Sequence, residues 1–238
     1  MKIRRLPEID LARIAPLPVS QQRKALEQIR MGFPTISYAP FRLNISDILN
    51  VQSGMFSPAT HTDWAIVEQL LRKSSRSNKE FQANLGVAKA LHQYGAAHGV
   101  LSRSQNFSKL AIATGDRVEY WLNMILSLDN QPVIPFIDPR RTRHLTSEGR
   151  RFVFSMMHEH IRAIDPDYAN VSLGIVQFTP DDNNQRRPLF YFDRGINLID
   201  YAELDSMIRV TYGLWLEVLG GREDETRRKS TGTKGTLL

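Results

Sequence analysis

The sequence contains no cysteine among its 238 residues. That absence excludes disulfide bonds, zinc sites built from cysteine, and thiol nucleophiles. No apolar run approaches the roughly 18 residues of a membrane span, and no apolar segment of a signal peptide follows the basic start of the chain. We therefore expect a cytoplasmic protein that makes no contact with a membrane.

Lysine is absent between Lys109 and Lys229. Nucleases of the PD-(D/E)xK type pair a strand-end aspartate with an acid-x-lysine tripeptide on the neighbouring strand, and no such tripeptide follows Asp138. Arginine is a poor replacement for that lysine because its charge is fixed. The patterns GxGxxG, GxxxxGK[ST] and GxSxG are absent as well. The sequence therefore gives no sign of a cofactor.

The composition is that of an ordinary globular domain, with 42% hydrophobic and 24% charged residues. The formal net charge of +6 is unevenly distributed. Residues 139–165 hold six basic and three acidic residues, a local charge of +3, whereas residues 166–219 hold four basic and eight acidic ones, a charge of −4. The basic segment permits an acidic partner such as nucleic acid.

The first 60 residues are interrupted by six prolines, and only Ser20–Met31 predicts a helix there. Apolar side chains are nevertheless too frequent for a free linker; they are Phe33, Ile36, Tyr38, Phe41, Leu43, Ile45 and Ile48. We predict that residues 1–60 form an extended arm that wraps the folded domain or a partner. Apolar residues at helical spacing then predict a helical hairpin over residues 61–99.

The period of the pattern changes in the second half of the chain. Two β-rich runs, Val118–Leu128 and Val133–Ile137, are separated by Asp129-Asn130, residue types that tolerate the positive φ of a tight hairpin turn. A helix is predicted from about Ser147, and the order strand, strand, helix then repeats. These signals predict an α+β fold.

We expect the ββα-ββα order to form one antiparallel sheet over residues 116–219 with its helices on one face. Residues 61–219 are predicted to be one folded unit. Gly220-Gly221 is expected to end the last helix, and the mixed charge and low apolar content of residues 222–238 predict a disordered tail.

The densest charge follows the strand that ends in Asp138. Five arginines lie within residues 139–151; they are Arg140, Arg141, Arg143, Arg150 and Arg151. The last two fall at the start of the predicted helix, where free N–H groups and the helix dipole favour an anion, and guanidinium groups bind phosphate or carboxylate through two parallel hydrogen bonds. The set predicts an anion site. The alternative is internal pairing of these arginines with nearby carboxylates.

A metal-dependent phosphodiesterase or nuclease is the second interpretation. Asp138 at a strand end and Glu68 in the helical hairpin are its candidate catalytic acids, because two carboxylates at such positions can hold Mg²⁺. Mg²⁺ is expected as a cofactor only under this interpretation.

The triplet His158-Glu159-His160 does not predict a metal site. Its histidines are two positions apart and point to different faces of a helix, whereas a helical zinc site uses a pair at i and i+4. His160 falls on the buried face and is expected to be hydrogen-bonded and partly buried.

These observations favour a non-catalytic binding protein whose arginines contact nucleic acid or a polyphosphate. A protein–protein interaction or inhibitor module is the third interpretation. In that case the apolar N-terminal arm is the surface expected to contact a protein partner.

Overall fold

The computed structural model describes residues 5–29, 36–52, 61–107 and 119–232, with side chains up to residue 224. Within these residues eight α-helices occur: α1 Glu8–Ile14, α2 Val19–Glu27, α3 Ala39–Leu43, α4 Ile45–Ile48, α5 Trp64–Ser74, α6 Asn78–Ala97, α7 Ser147–Met157 and α8 Tyr201–Gly232. The same residues form six strands: β1 Val51–Gln52, β2 Leu101–Ser104, β3 Met124–Leu128, β4 Gln131–Ile137, β5 Ser172–Pro180 and β6 Arg186–Phe192. A π-helical turn, His158–Arg162, and a 3-10 helix, Pro166–Tyr168, follow α7. The predicted α+β class is confirmed.

The six strands form one mixed sheet in chain order. β3–β4 and β5–β6 are antiparallel pairs, and both residues of the Asp129-Asn130 turn have positive φ, 49° and 60°. β4 and β5 are parallel, because α7 carries the chain back along the sheet before β5 begins. β1 and β2 are parallel too. The prediction of a purely antiparallel sheet over residues 116–219 is therefore wrong at the β4–β5 pair.

Alternate side chains of the central strands enter two separate cores. Ile134 and Ile175 pack with α1, α2, α7 and α8 on one face of the sheet. Val133 and Val176 pack with α3, α4, α5 and α6 on the other face. The two helices of the ββα-ββα order thus share one face, as predicted, while the helical hairpin of α5 and α6 covers the opposite face.

The N-terminal region is helical where an extended arm was predicted, and helices α1 to α4 occupy more than half of the described residues between 5 and 52. Pro7 and Pro18 immediately precede α1 and α2, and Pro40 lies in the first turn of α3. A proline at these positions costs no hydrogen bond, because the first N–H groups of a helix have no partner within it. Proline therefore marks where these helices begin. Residues 30–35 and 53–60 of the predicted arm lie outside the described residues.

Helix α8 passes through Gly220 and Gly221 and continues to Gly232. Arg222 donates hydrogen bonds to the carbonyl groups of Ile29 and Glu27, at the end of α2. This packing outweighs the low helix propensity of glycine, about 1 kcal/mol per residue. The disordered tail predicted from residue 222 is thus helical up to residue 232, and residues 233–238 lie outside the described residues.

Gly174 in β5 allows the close approach of β4. A Cβ at this position would lie 2.7 Å from Cγ1 of Val133, whose branched side chain is buried and has few alternative rotamers. We expect Gly174→Ala to lower the free energy of unfolding by ~2 kcal/mol in urea denaturation.

The double variant Gly174→Ala, Val133→Ala removes the atom that the new Cβ would meet. We expect it to be more stable than the sum of the two single effects by about 1 kcal/mol. Strict additivity of the two effects would show that Gly174 does not control this contact.

Candidate functional site

The turn that follows β4 is stabilised by a buried aspartate. Asp138 is completely buried. Its Oδ1 accepts hydrogen bonds from the backbone N–H of Arg140 at 3.2 Å and from Nε of the same residue at 3.1 Å. Asp138 therefore both caps the turn and pairs with the first of the five arginines.

Arg140 links this turn to the N-terminal helix. Its Nη1 donates to Oδ1 of Asp10 in α1 at 2.8 Å. Asp10 also pairs with Arg13, at 3.6 Å from Nη1. Burial and repulsion from Arg140 lower the pKa of Arg13 below its ordinary value. Two carboxylates and two arginines thus form one network that attaches α1 to the sheet.

Arg141 and Arg143 lie in the exposed part of the same loop. Arg141 donates a hydrogen bond to the side-chain oxygen of Asn184, in the loop between β5 and β6. Arg143 has a φ of 58°, in the left-handed region. Such a conformation is uncommon outside tight turns, so Arg143 marks a tight turn between Asp138 and α7.

Arg150 and Arg151 lie near the start of α7, as predicted, and both bind other parts of the protein. Arg150 donates to the carbonyl of Leu145 at 3.0 Å, and its guanidinium lies 4.0 Å from the ring centre of Tyr191. Arg151 donates to the carbonyl of Asn197 at 2.7 Å. Four of the five arginines, all except Arg143, therefore contact different parts of the protein instead of converging on one point.

The two candidate catalytic acids are held in different surroundings. Glu68 lies on α5 and pairs with Arg72 at 3.5 Å. Asp138 is held by Arg140, and no hydrogen bond or ion pair connects it to Glu68 in the described part of the chain. Among the described residues, no group of three or more histidine, aspartate or glutamate side chains could hold a metal ion.

Other members of the network could not be found from the sequence. Arg186 of β6 donates to the carbonyl of Pro139 and to the hydroxyl of Tyr38 at 2.9 Å. Asp10 is 130 positions from its partner Arg140. No local pattern marks contacts across such separations, so the sequence showed the arginines but not the groups that bind them.

The N-terminal region also presents apolar surface. Leu43, at the end of α3, is 75% exposed, the largest exposure among the large apolar side chains of the described residues. Helix α3 contacts α5, on which Ile66 is also exposed. The outer edge of β1 has no pairing partner within the described ranges. Exposed apolar side chains and open strand edges are both typical of surfaces that bind other proteins.

None of the helices in the described part of the chain combines the length and apolar character that a membrane crossing requires.

A family model described as "Sliding clamp-binding bacterial toxin SocB" matches residues 9–225. The chain is also 38% identical over 232 residues to the DNA replication inhibitor toxin SocB of Caulobacter vibrioides (strain NA1000 / CB15N). That alignment covers 98% of this chain and 97% of the relative. No solved structure matches the chain. The similarity therefore spans both cores of the fold and the network around Asp138.

Proposed function

Because this chain belongs to the SocB family of sliding clamp-binding bacterial toxins, we propose that it binds a sliding clamp and thereby inhibits DNA replication. The observation that carries this proposal is the 38% identity to a replication inhibitor over nearly the whole of both chains. A replication inhibitor of this kind acts where the bacterial chromosome lies, in the cytoplasm.

The interpretation of the chain as an anion-binding protein that contacts nucleic acid is wrong. The family is described by its binding to a sliding clamp, which is a protein, and the relative by its inhibition of replication. Arginine density misled the prediction because Arg140, Arg150 and Arg151 bind carboxylate and carbonyl groups of the chain itself. The alternative of a protein-interaction or inhibitor module fits the family.

Inhibition by binding places different demands on a protein than catalysis does. A binder must cover part of its target with sufficient affinity, and it needs a complementary surface instead of reactive groups. In a typical interface a few apolar or aromatic side chains supply most of the binding free energy. The contact with the clamp is therefore expected at exposed apolar residues that have no role in either core.

We place the clamp contact on the N-terminal region, at Leu43 and the open edge of β1. Most other apolar residues of this region are unavailable to a partner; Phe41 and Ile48, for example, are each 1% exposed and belong to the core. Leu43 instead projects into solvent from a helix that is itself held by buried neighbours. A rigid element that presents one large apolar side chain loses little conformational entropy on binding.

Surface plasmon resonance against an immobilised sliding clamp from the host bacterium tests the proposed function. We expect saturable binding with a Kd of about 1 µM or tighter. Production of the chain in host cells should also stop incorporation of labelled thymidine. Absence of saturable binding at about 100 µM protein would refute clamp binding, whatever the effect on cell growth.

Leu43→Glu tests the proposed contact surface. We expect it to weaken clamp binding roughly tenfold, because a carboxylate would have to be desolvated where an apolar group was buried. Leu216→Glu is the matched control: Leu216 is also apolar and 42% exposed, but it lies on α8 and not in the N-terminal region. Equal binding by both variants, with equal melting temperatures, would exclude Leu43 from the interface.

A further inference from the structure

Helix α7 ends in a π-helical turn, His158–Arg162. The N–H of Ala163 donates to the carbonyl of His158, five residues earlier, at 3.0 Å. A π turn adds one residue to the helical repeat and redirects the side chains around it, and such turns occur frequently at functional sites. His160 lies at the centre of this one and is only 2% exposed.

The hydrogen bond expected for His160 is missing at one ring nitrogen. Its Nδ1 is buried and has no partner among the described residues. The ring lies 5.3 Å from the indole of Trp121, whose buried Nε1 also lacks a partner there. Burial lowers the pKa of His160 below its ordinary value, so the ring is neutral near pH 7. A neutral imidazole offers one donor and one acceptor.

His160 lines a cavity of about 60 Å³. Two isoleucines form part of its wall; the other lining residues are Gln105, Asn106, Phe107, Asp165 and Tyr168. The rings of Phe107 and Tyr168 meet edge to face at 5.3 Å. This volume holds roughly four water molecules, which suits a single side-chain head group and is too small for a nucleotide.

The groups around the cavity favour a positive charge. Asp165 supplies a carboxylate, and within the described part of the chain no lysine or arginine belongs to the lining residues. Burial, followed by the charges of Asp165 and Asp167, raises the pKa of Tyr168. Arg162, in the same π turn, is bound to Asp193 at 2.6 Å and to the carbonyl of Val171 at 2.9 Å. A carboxylate, amide oxygens and aromatic rings together are the usual surroundings of a bound cation.

We propose that this cavity binds the positively charged side chain of an arginine or lysine from the protein partner. The identity of that partner as a sliding clamp rests on the proposed function. Binding of the cation itself does not, because it can be measured on the isolated protein.

A titration with ethylguanidinium, a small analogue of the arginine side chain, tests the cavity directly. Imidazole ¹⁵N signals report the binding, and the signal of His160 is assigned with a His160→Gln variant. We expect saturable shifts of this signal with ethylguanidinium and much smaller ones with N-ethylurea, which has a similar shape but no charge. Equal responses to the two compounds, or no saturable response to ethylguanidinium, would overturn the proposal.

Asp165→Asn examines the role of the carboxylate while keeping the turn intact. Asp165 accepts a hydrogen bond from the N–H of Asp167 at 3.0 Å, which asparagine can also accept. Asp181→Asn is the matched control, because Asp181 caps a surface turn in the same way through the N–H of Asn183 at 2.9 Å. We expect roughly tenfold weaker ethylguanidinium binding in Asp165→Asn alone. Equal affinity in both variants would contradict the proposal.

The same two variants, tested against an immobilised sliding clamp, separate this inference from the proposed function. Weaker clamp binding by Asp165→Asn alone supports a clamp side chain in the cavity. Unchanged clamp binding by that variant overturns the assignment of the partner. If the wild-type protein does not bind the clamp, the proposed function fails, and the ethylguanidinium titration still decides whether the cavity binds a cation.

Discussion

Asp138→Asn is expected to lower the free energy of unfolding by about 3 kcal/mol at pH 7, as measured by urea denaturation. The carboxylate is completely buried and carries the hydrogen bonds from Arg140. Removing one partner of a buried pair leaves the other charge without compensation, which typically costs 3–5 kcal/mol. The Arg140 side chain is 21% exposed and keeps its bond to Asp10, so the lower end of that range applies.

Two comparisons make this result interpretable. Asp181→Asn replaces an aspartate in a surface turn and should change stability by less than about 0.5 kcal/mol. Arg140→Met, combined with Asp138→Asn, should cost less than the sum of the single changes, because it removes the uncompensated charge. A loss of only ~1 kcal/mol in Asp138→Asn, the usual value of a turn or helix cap, would mean that the pair with Arg140 contributes little.

Asn84→Leu is expected to lower the free energy of unfolding by about 3 kcal/mol and to loosen the segment that carries Leu43. Asn84 lies on α6 and is completely buried. Its Oδ1 accepts from the N–H of Phe41 at 2.9 Å, and its Nδ2 donates to the carbonyl of Ser37 at 2.8 Å. Leucine has a similar volume but leaves both backbone groups without partners, and each such loss costs about 1–3 kcal/mol.

Hydrogen exchange gives this prediction a local readout. The amide of Phe41 should exchange slowly in the wild-type protein and much faster in Asn84→Leu. Gln93→Leu, an exposed position on the same helix, should leave both stability and exchange unchanged. If the exchange rate of Phe41 were the same in Asn84→Leu and in the wild type, the hydrogen bond that Phe41 donates to Asn84 would not be what holds this segment.

Glu80 lies one turn before Asn84 on α6, and its carboxylate also binds the segment that precedes α3. Glu80 accepts hydrogen bonds from the side chain of Arg76, at 2.6 Å from Nη2, and from the N–H of Ser37 at 2.9 Å. These bonds, those from Arg76 foremost, lower the pKa of Glu80 to about 2. Glu80 is therefore ionised near neutral pH, and α6 holds the chain before α3 through a charge as well as through an amide.

Local signals in the sequence predicted local structure well. Asp129-Asn130 forms the expected turn with positive φ, and α7 begins at Ser147, as predicted. The prolines of the N-terminal region were interpreted wrongly as signs of an extended segment. Proline is equally compatible with the first turn of a helix. The parallel pairing of β4 with β5 depends on the direction in which α7 leads the chain back to the sheet. No local sequence pattern predicts that direction.

The candidate site was harder to predict for a related reason. A cluster of arginines has the same appearance in a sequence whether its charges bind a ligand or the protein. Arg140 meets Asp10 from 130 positions away, and Arg151 meets the carbonyl of Asn197 from 46 positions away. Backbone carbonyls carry no sequence signature at all, so internal pairing could be weighed as an alternative but not recognised.

The contacts between α2 and α8 determine when the core between these two helices can form during synthesis of the chain. Gln22 accepts a hydrogen bond from Thr211, and Arg222 binds the carbonyls that end α2, so partners are separated by 189 residues or more. Helix α2 must therefore wait until α8 has been synthesised before the core between them can close. Contacts across such separations are slow to form, because the entropy of closing a long loop is lost before the contacts compensate for it. Each newly made chain thus passes through an interval in which α1 and α2 lack their final partners on α8.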